Sequence, residues 1–173
     1  MKGNWLDKPQ WVPLRAPFTT GPESRKAQEY VDVCRQFDVE HAWRYLPRSN
    51  KTFCNIYVAD CTAALGCGIP HWIDEEGKPV RVGEGFEMSA NTMHEWLEAK
   101  HDGWRKMSRE DAKARADLGF PVVVSWRNPL GASGHVAMLL PGFLIAQAGS
   151  KNHFMVPLPM GFGTLKPDFF THD

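Results

Sequence analysis

The sequence predicts an α+β domain in which helices come first along the chain and strands come later. Between residues 24 and 119, apolar residues recur at helical spacing in several segments that end at glycine or proline. From Pro121 onward, runs of β-branched residues separated by turn residues are typical of consecutive strands. This order favours N-terminal helices packed on a C-terminal antiparallel sheet. Of the 173 residues, we expect 24–173 to form one domain and 1–23, rich in proline and tryptophan, to form an extended arm on it.

Four segments have the apolar spacing of helices, and each begins near a polar residue that can cap its first turn. The first helix is expected at about 24–36. The second has apolar or small residues on nearly every side, so we expect it to be the buried central helix. The expected caps, in order, are Ser24, Thr52, Ser89 or Asn91, and Ser108.

The remaining elements are predicted to be short or extended. Val39–Tyr45 is predicted to form a short helix or strand, and Pro79–Val82 a short strand. The C-terminal strands are expected at Val122–Val124, His135–Leu140 and Phe143–Ala148, because apolar runs there are bounded by turn residues.

Composition and charge exclude several classes of function. Twenty basic and twenty acidic residues cancel, and no run of like charges is long enough to attract nucleic acid. No segment approaches the roughly 18–20 apolar residues of a membrane span. The N-terminal residues lack the apolar core of a signal peptide. We therefore expect a protein made in the cytoplasm, which reaches other compartments only by lysis, injection or dedicated secretion.

The four cysteines, at positions 34, 54, 61 and 67, do not have the spacing of a zinc site. No CxxC pair and no HExxH pattern is present. We expect free thiols, because the chain is long enough to fold around its own core and the expected compartment is reducing. No metal and no cofactor is predicted.

Cys54 differs from the other cysteines because it falls near the start of the central helix. Unpaired backbone N–H groups and the positive end of the helix dipole favour an anion there. Such a position can lower the pKa of a thiol from about 8.5 to between roughly 3.5 and 7.5. The same N–H groups can stabilise the oxyanion of a tetrahedral intermediate, so Cys54 is a candidate nucleophile.

His135 is the candidate base for this nucleophile. It follows Gly134 and begins an apolar strand, which places an imidazole at a sheet end beside an open loop. Gln147, on the following strand, is a candidate to orient the ring. Nucleophile, base and orienting residue in this chain order are typical of papain-type hydrolases.

The loop between the last two predicted strands decides whether this triad can form. A strict two-residue hairpin at Pro141-Gly142 would pair Val136 with Gln147 and turn His135 and Gln147 to opposite faces. Pro-Gly favours a type I or II turn over the primed turns of two-residue hairpins. We therefore expect a loop of odd length, which puts both side chains on one face.

Three motifs carry a resemblance to a known family: Thr52–Asp60, Gly134–Met138 and Ile145–Gly149. Together they resemble the NlpC-type and CHAP-type peptidoglycan amidases and peptidases, over roughly residues 45 to 155. The resemblance implies a papain-like fold in which Cys54 attacks an amide carbonyl and His135 moves the proton. It also implies the stem peptide of peptidoglycan as the partner, and Gln147 as the residue that orients His135.

Two departures from the family pattern affect the assignment of these roles to residues of this chain. Many CHAP-type members have an acidic residue and an asparagine where this chain has Gln147 and Gly149, so Asn152 is a rival for the third role. The acidic calcium loop of some CHAP lysins is replaced by Arg48–Lys51. Trp72 is a further candidate, as a substrate-binding residue that could stack on a sugar or peptide.

Three functions remain open at this point. The first is a cell-wall amidase or endopeptidase, acting as a phage lysin, a tail enzyme or a secreted antibacterial toxin with a cognate inhibitor or immunity protein. The second keeps the fold but transfers the acyl group to another acceptor or deamidates a protein. The third is a non-catalytic phage structural protein.

Overall fold

The computed structural model describes residues 5–173, which combine five α-helices with eight strands. The helices are α1 Ala27–Arg35, α2 Cys54–Ala64, α3 Ala90–Glu98, α4 Arg109–Asp117 and α5 Pro159–Phe162. The strands are β1 Trp72–Ile73, β2 Phe86–Glu87, β3 Arg105–Met107, β4 Val122–Trp126, β5 His135–Leu140, β6 Leu144–Gln147, β7 His153–Pro157 and β8 Asp168–Thr171.

Six of the strands form one sheet in the order β3-β8-β4-β5-β6-β7, and every neighbouring pair is antiparallel. The other two strands, β1 and β2, pair with each other outside this sheet. Helices precede the central strands along the chain, so the predicted α+β class with an antiparallel sheet is confirmed. None of the helices in residues 5–173 has the length and apolar character that crossing a bilayer requires.

Helix α2 is the interior helix that the sequence predicts. Nine of its eleven residues are buried, and it packs against β5 in the centre of the sheet. Burying a helix whose side chains are apolar or small on all faces costs little free energy, since few polar groups must leave water. The helix therefore holds its first residue, Cys54, in a fixed position against the sheet.

Two of the predicted helix caps are confirmed. The Ser89 hydroxyl accepts a hydrogen bond from the backbone N–H of Thr92, and the Ser108 hydroxyl accepts one from Asp111. Each bond satisfies one of the N–H groups that a first helical turn leaves unpaired.

The other two predicted caps are wrong. Helix α1 begins after Lys26, because the Ser24 hydroxyl donates to the carboxylate of Glu29 and does not accept from the first turn. Helix α2 begins after Phe53, which makes no side-chain cap. Thr52 stands one position too early to cap this helix.

Two short elements also differ from the prediction. Val39–Tyr45 forms turns and neither a helix nor a strand. Pro79–Val82 is not a strand, and only Pro79 makes an isolated bridge to Ile73. The strand that pairs with β1 is instead β2, further along the chain. Proline lacks the N–H that ladder pairing needs, which limits pairing at Pro79.

The hairpin between β5 and β6 has a loop of odd length, as predicted. Leu140 pairs with Leu144, so the loop is the three residues Pro141, Gly142 and Phe143. Gly142 has a φ of +80°, which a residue without a Cβ adopts at little cost. In this register Ala137 falls opposite Gln147, so His135, two residues from Ala137, lies on the same face as Gln147.

The arm is held to the domain by a buried ion pair. Arg44 is fully buried, and its guanidinium donates to the carbonyls of four arm residues and to the Asp60 carboxylate, at 2.7 and 3.0 Å. Tyr45 donates to the same carboxylate at 2.7 Å. Because both charges are paired inside the core, the arm of residues 5–23 packs as part of the domain. The four arm carbonyls belong to Lys8, Pro9, Gln10 and Val12.

Candidate active site

Cys54 is the first residue of α2 and lies against the start of β5. Its side chain is nearly enclosed, with 5% of the residue exposed. The sulfur faces the backbone N–H groups of Val136, Asn55 and Cys54 itself, each of which favours the thiolate. The contact with Val136 places the sulfur beside the residue that follows His135. The helix start and the strand start therefore meet at this cysteine.

The pKa of Cys54 corrects one prediction. Burial raises the pKa of the thiol above its ordinary value, and the three N–H groups offset this only in part. The sequence predicted the opposite direction, because the helix start is visible in the sequence and the degree of enclosure is not. Removing the thiolate from water raises the pKa of Cys54 more than the N–H groups at the helix start lower it. The resting cysteine is thus a neutral thiol.

His135 is held by a short hydrogen bond to Gln147. The distance from His135 Nε2 to Gln147 Oε1 is 2.6 Å. The orientation of the amide is fixed because its nitrogen donates to the carbonyl of Lys151 at 3.2 Å, which leaves the oxygen for the histidine. The ring therefore donates its Nε2–H to Gln147, and Nδ1 is the nitrogen that can accept a proton.

Burial also controls the charge of His135. The ring packs against Phe162 with 4.9 Å between ring centroids. Burial lowers the pKa of His135 below 6.5, and the hydrogen bond to Gln147 opposes this shift. The imidazole is consequently neutral at pH 7, as a general base must be before it takes a proton.

Asn152, the rival for the third role, uses its side chain elsewhere. Its Nδ2 donates to the carbonyls of Val39 at 2.7 Å and Tyr45 at 2.9 Å. Its Oδ1 accepts from the N–H of Gly149 at 2.9 Å. The amide thus joins a loop to the segment before α2, and it is Gln147 that contacts the histidine.

Two cavities meet at this site. A cleft of about 530 Å³, the cysteine cleft, is lined by Cys54 and by residues at the starts of α2 and α3. A pocket of about 310 Å³, the histidine pocket, is lined by His135 and Gln147. Thr52 lines both cavities, so they adjoin. A bound substrate can therefore reach the thiol from one side and the imidazole from the other.

The cysteine cleft has a cationic rim. Arg48 and Lys51 both line it, together with one acidic residue, Glu87, so the charged lining residues are net positive. The Arg48 guanidinium lies over the ring of Trp43, 3.8 Å from its centroid, and over that of Phe53, at 4.3 Å. Stacking between two rings restricts the guanidinium to one position, which suits it to bind an anionic group.

Trp72 does not line the cysteine cleft. It lines a separate cavity of about 850 Å³, the arm cavity, between the arm, α2 and the segment 68–84. Trp11 of the arm lines both the arm cavity and the cysteine cleft. The structure thus places Trp72 in a neighbouring cavity and does not bring it to the thiol.

Two site residues come from α5, which was not predicted. Phe162 packs on the imidazole. A Cβ at Gly161 would collide with Oε1 of Gln147, so glycine leaves the space that the hydrogen-bonded amide occupies. The segment has two prolines and two glycines within a few residues, which indicates a turn but not its position over His135.

A cluster of His94, Glu98 and Asp168 lies apart from this site. Their ligand atoms are within 4.8 Å of one another. However, the Lys106 ammonium pairs with Glu98 at 2.6 Å and with Asp168 at 3.0 Å. This lysine balances the carboxylates, so ion pairing explains why Glu98 and Asp168 lie together.

Comparison with known proteins adds no assignment: no family model matches the chain, and no curated protein sequence is similar to it.

Proposed function

We propose that this chain is a cysteine hydrolase of the papain-like type that cleaves an amide bond in bacterial peptidoglycan. The observation that carries the proposal is the hydrogen bond from His135 to Gln147, which directs the basic nitrogen of the ring away from Gln147 while Cys54 lies beside the same strand end. The resemblance of the three motifs to NlpC-type and CHAP-type enzymes supports the choice of substrate.

The reaction begins with the substrate carbonyl in the cysteine cleft. His135 Nδ1 takes the thiol proton as the sulfur of Cys54 attacks the carbonyl carbon. A tetrahedral intermediate forms, and its oxyanion accepts from the backbone N–H groups at the start of α2. The imidazolium then gives its proton to the leaving amine, and the C–N bond breaks to leave a thioester. Water, deprotonated by His135, hydrolyses the thioester and restores the thiol.

The neutral resting pair determines when the proton moves. Because burial raises the pKa of Cys54 and lowers that of His135, the thiolate–imidazolium ion pair is disfavoured before substrate binds. Proton transfer therefore accompanies attack on the carbonyl and does not precede it. A donor for the developing oxyanion is already in place, so charge forms where it is stabilised.

The cationic rim supports an anionic partner such as the stem peptide of peptidoglycan. Arg48, fixed between two aromatic rings, can bind a carboxylate of the peptide at the entrance of the cysteine cleft. Lys51 adds a second positive charge. On this proposal the enzyme reaches the cell wall after lysis, injection or dedicated secretion, and a cognate inhibitor or immunity protein would act by covering the cysteine cleft.

The test is hydrolysis of purified sacculi by the full chain and by Cys54→Ala. We expect the variant to lose activity by about 10⁴-fold or more, because no other group can form the thioester. Cys67→Ala, which removes a buried thiol outside the cleft, is the matched control and should retain activity. Mass spectrometry of the products identifies the cleaved bond, whether on the glycan side or within the peptide. Unchanged hydrolysis by Cys54→Ala would refute the proposal.

One observation favours a second candidate, a non-catalytic protein with the same fold. A nearly enclosed thiol with a raised pKa is also what an inert structural cysteine shows. The two readings differ in reactivity, because only a catalytic cysteine has a base beside it. Iodoacetamide should modify Cys54 faster than the other three thiols, and His135→Ala should remove this preference. Equally slow alkylation of all four would favour the non-catalytic candidate.

An acyl transferase or deamidase would use the same chemistry with a different acceptor or substrate. In that case, Cys54 would still form the thioester, but the product analysis would show a transferred acyl group or a deamidated protein and no released muropeptide.

A further inference from the structure

The cluster of His94, Glu98 and Asp168 contains one group that ion pairing with lysine does not explain. The Lys106 ammonium accounts for the two carboxylates, which it contacts at 2.6 and 3.0 Å. The imidazole of His94 takes no part in these contacts, although its side chain is only 9% exposed. Its Nδ1 is hydrogen-bonded to the hydroxyl of Ser125 at 2.9 Å. Nε2 of His94 is therefore the polar atom of the cluster that needs a partner.

This Nε2 atom faces the two carboxylates without a hydrogen bond to either. It lies 3.6 Å from Oδ2 of Asp168 and 3.9 Å from Oε1 of Glu98, and both distances exceed that of a hydrogen bond. Within residues 5–173, the bond to Ser125 is the one hydrogen bond that the His94 ring makes. In one tautomer a lone pair of Nε2 faces two negative oxygens, and in the other an N–H is too far away to donate to them. A cation held among the three atoms removes this conflict.

The three atoms have nearly the spacing that a tetrahedral zinc ion requires. Bonds of about 2.1 Å from zinc to nitrogen and oxygen place two ligand atoms about 3.4 Å apart. The separations of 3.6 and 3.9 Å around Nε2 of His94 are longer by a few tenths of an ångström. All three ligand atoms lie within 4.8 Å of one another. Small movements of the two carboxylates would therefore bring the three atoms around one ion.

The surroundings of the three side chains also suit a metal site. His94 and Glu98 are one turn apart on α3, so they share a face of the helix, and Asp168 begins β8. Ligating histidines usually bond an outer partner through their second ring nitrogen, and Ser125 has this position. The two acidic side chains are 44% and 38% exposed, which gives an ion access from solvent. One imidazole with two carboxylates suits zinc better than calcium, which takes six to eight oxygens.

Lys106 shows that a cation is stabilised at this position. Its ammonium contacts Oε1 of Glu98 and Oδ2 of Asp168, the same two oxygens that face the imidazole of His94. The lysine side chain is 48% exposed, so it can turn away into solvent. We propose that His94, Glu98 and Asp168 bind a divalent transition-metal ion such as Zn²⁺. Lys106 competes with the ion for the two carboxylate oxygens.

The ion would have a structural role, because its ligands come from two elements. It joins the C-terminal half of α3 to the start of β8, and the first residue of α3, Ala90, lines the cysteine cleft. The sequence predicted no metal, since Asp168 lies 70 residues after Glu98 and no ligand spacing reveals the site. This inference does not depend on the proposed function, because none of the three ligands takes part in the reaction.

The experiment is titration of the full chain, first freed of metal with a chelator, with ZnCl₂ by calorimetry and with CoCl₂ by absorbance. We expect saturable binding of one ion per chain and the visible bands of tetrahedral cobalt. Asp168→Asn should weaken zinc binding by about 100-fold or more, since loss of an outer partner alone costs about 10- to 100-fold. Lys106→Met should strengthen zinc binding by about tenfold, because it removes the competing cation. Zinc should raise the Tm of the unchanged chain and not that of Asp168→Asn.

The matched controls come from an ion pair of the same kind on α4. Lys113 contacts Asp117 at 2.6 Å, and neither residue has a histidine among its ion-pair or hydrogen-bond partners within residues 5–173. Asp117→Asn and Lys113→Met should leave zinc binding unchanged. Circular dichroism of each variant verifies that it is folded.

Four outcomes would overturn the inference. The first is no saturable binding of zinc to the unchanged chain. The second is an equal effect of Asp168→Asn and Asp117→Asn, which would show general attraction of the ion by surface charge. The third is weaker binding by Lys106→Met. The fourth is a cobalt spectrum that Asp168→Asn leaves unchanged, as expected for an ion bound at a cysteine. None of these measurements uses hydrolysis, so their failure is distinct from failure of the Cys54 test.

Discussion

Asp60 and Cys54 are both buried in helix α2, but their surroundings differ. Asp60 is bonded by Arg44 through two nitrogens and by Tyr45 through its hydroxyl. Cys54, at the start of the same helix, faces only backbone N–H groups and the end of β5. The carboxylate of Asp60 has three hydrogen bonds, two of them from a cation, whereas Cys54 has only backbone N–H groups, which do not outweigh the effect of burial on its pKa.

On the proposed function, this difference separates a structural role for Asp60 from a chemical role for Cys54. Asp60 holds the guanidinium of Arg44, which in turn binds the carbonyls of the arm, so this pair has a structural role. Burial raises the pKa of Cys54 and keeps the thiol neutral, and on the proposed function its sulfur attacks the substrate carbonyl. The two regions should therefore respond to substitution in different measurements, activity for one and stability for the other.

The largest effect is expected for His135→Ala. Without the imidazole, nothing takes the thiol proton, and hydrolysis of sacculi should fall by about 10³- to 10⁴-fold. The free energy of unfolding should fall by about 1–3 kcal/mol, because the substitution leaves Oε1 of Gln147 without its donor and removes the ring that packs on Phe162. His153→Ala, at another strand histidine lining the histidine pocket, is the control and should keep most activity. Loss of activity in both variants would contradict the assignment of His135 as the base.

The next largest effect is expected for Arg44→Met, measured by urea denaturation. Removing the guanidinium leaves the Asp60 carboxylate buried without its cation and frees the arm, which should lower the free energy of unfolding by about 3–5 kcal/mol. Arg35→Met breaks an exposed pair with Asp32 and should cost about 0–1 kcal/mol. Equal losses in the two variants would show that the buried pair does not hold the arm.

A smaller effect is expected for Gly161→Ala. The added Cβ would displace the Gln147 amide from its bond to His135, and misplacement of the ring by about 1 Å can cost about 10²-fold in kcat/KM. Gly149→Ala is the matched control, because its Cβ would meet His135 and Gln147 only at ordinary contact distance, 3.5 and 3.7 Å. If both alanine variants kept full activity, the amide would not be needed to orient the ring.

The sequence predicts the residues of the candidate site but not their surroundings. Cys54, His135 and Gln147 follow from local features, namely a helix start, a glycine before a strand and the parity of a hairpin loop. The structure bonds His135 to Gln147 and places the sulfur of Cys54 against the backbone N–H of Val136, the residue after His135. Local patterns of this kind hold because strand faces alternate and helix starts leave N–H groups free.

What the sequence missed depends on contacts between distant segments. The raised pKa of Cys54 comes from enclosure by the sheet, and no local pattern reports it. The part of α5 near His135 depends on the path of the chain after β7. Trp72 lines a cavity that the arm closes. Predicting this cavity would require knowing that Arg44 binds arm carbonyls some 30 residues earlier in the chain.

The smallest expected effect is a shift in the pH dependence of kcat/KM. Because burial lowers the pKa of His135, the neutral base should persist to lower pH than an ordinary imidazole would allow, and activity should be lost only as the pH falls through this lowered pKa. Gln147→Glu places a carboxylate beside the ring, which favours the imidazolium and raises its pKa. The acidic limb of the profile should then move to higher pH, with hydrolysis near pH 8 largely retained.

The matched control for this shift is Asn152→Asp. It introduces the same charge on the neighbouring loop, where the side chain bonds to Gly149 and not to His135. The carboxylate introduced at position 147, in direct contact with His135, should move the acidic limb more than the one introduced at position 152, because interaction between charges weakens with distance. If the two variants moved the acidic limb equally, or if Gln147→Glu left it in place, the group that titrates in the profile would not be His135. The chemical role proposed for the Cys54 end of α2 would then lose this support.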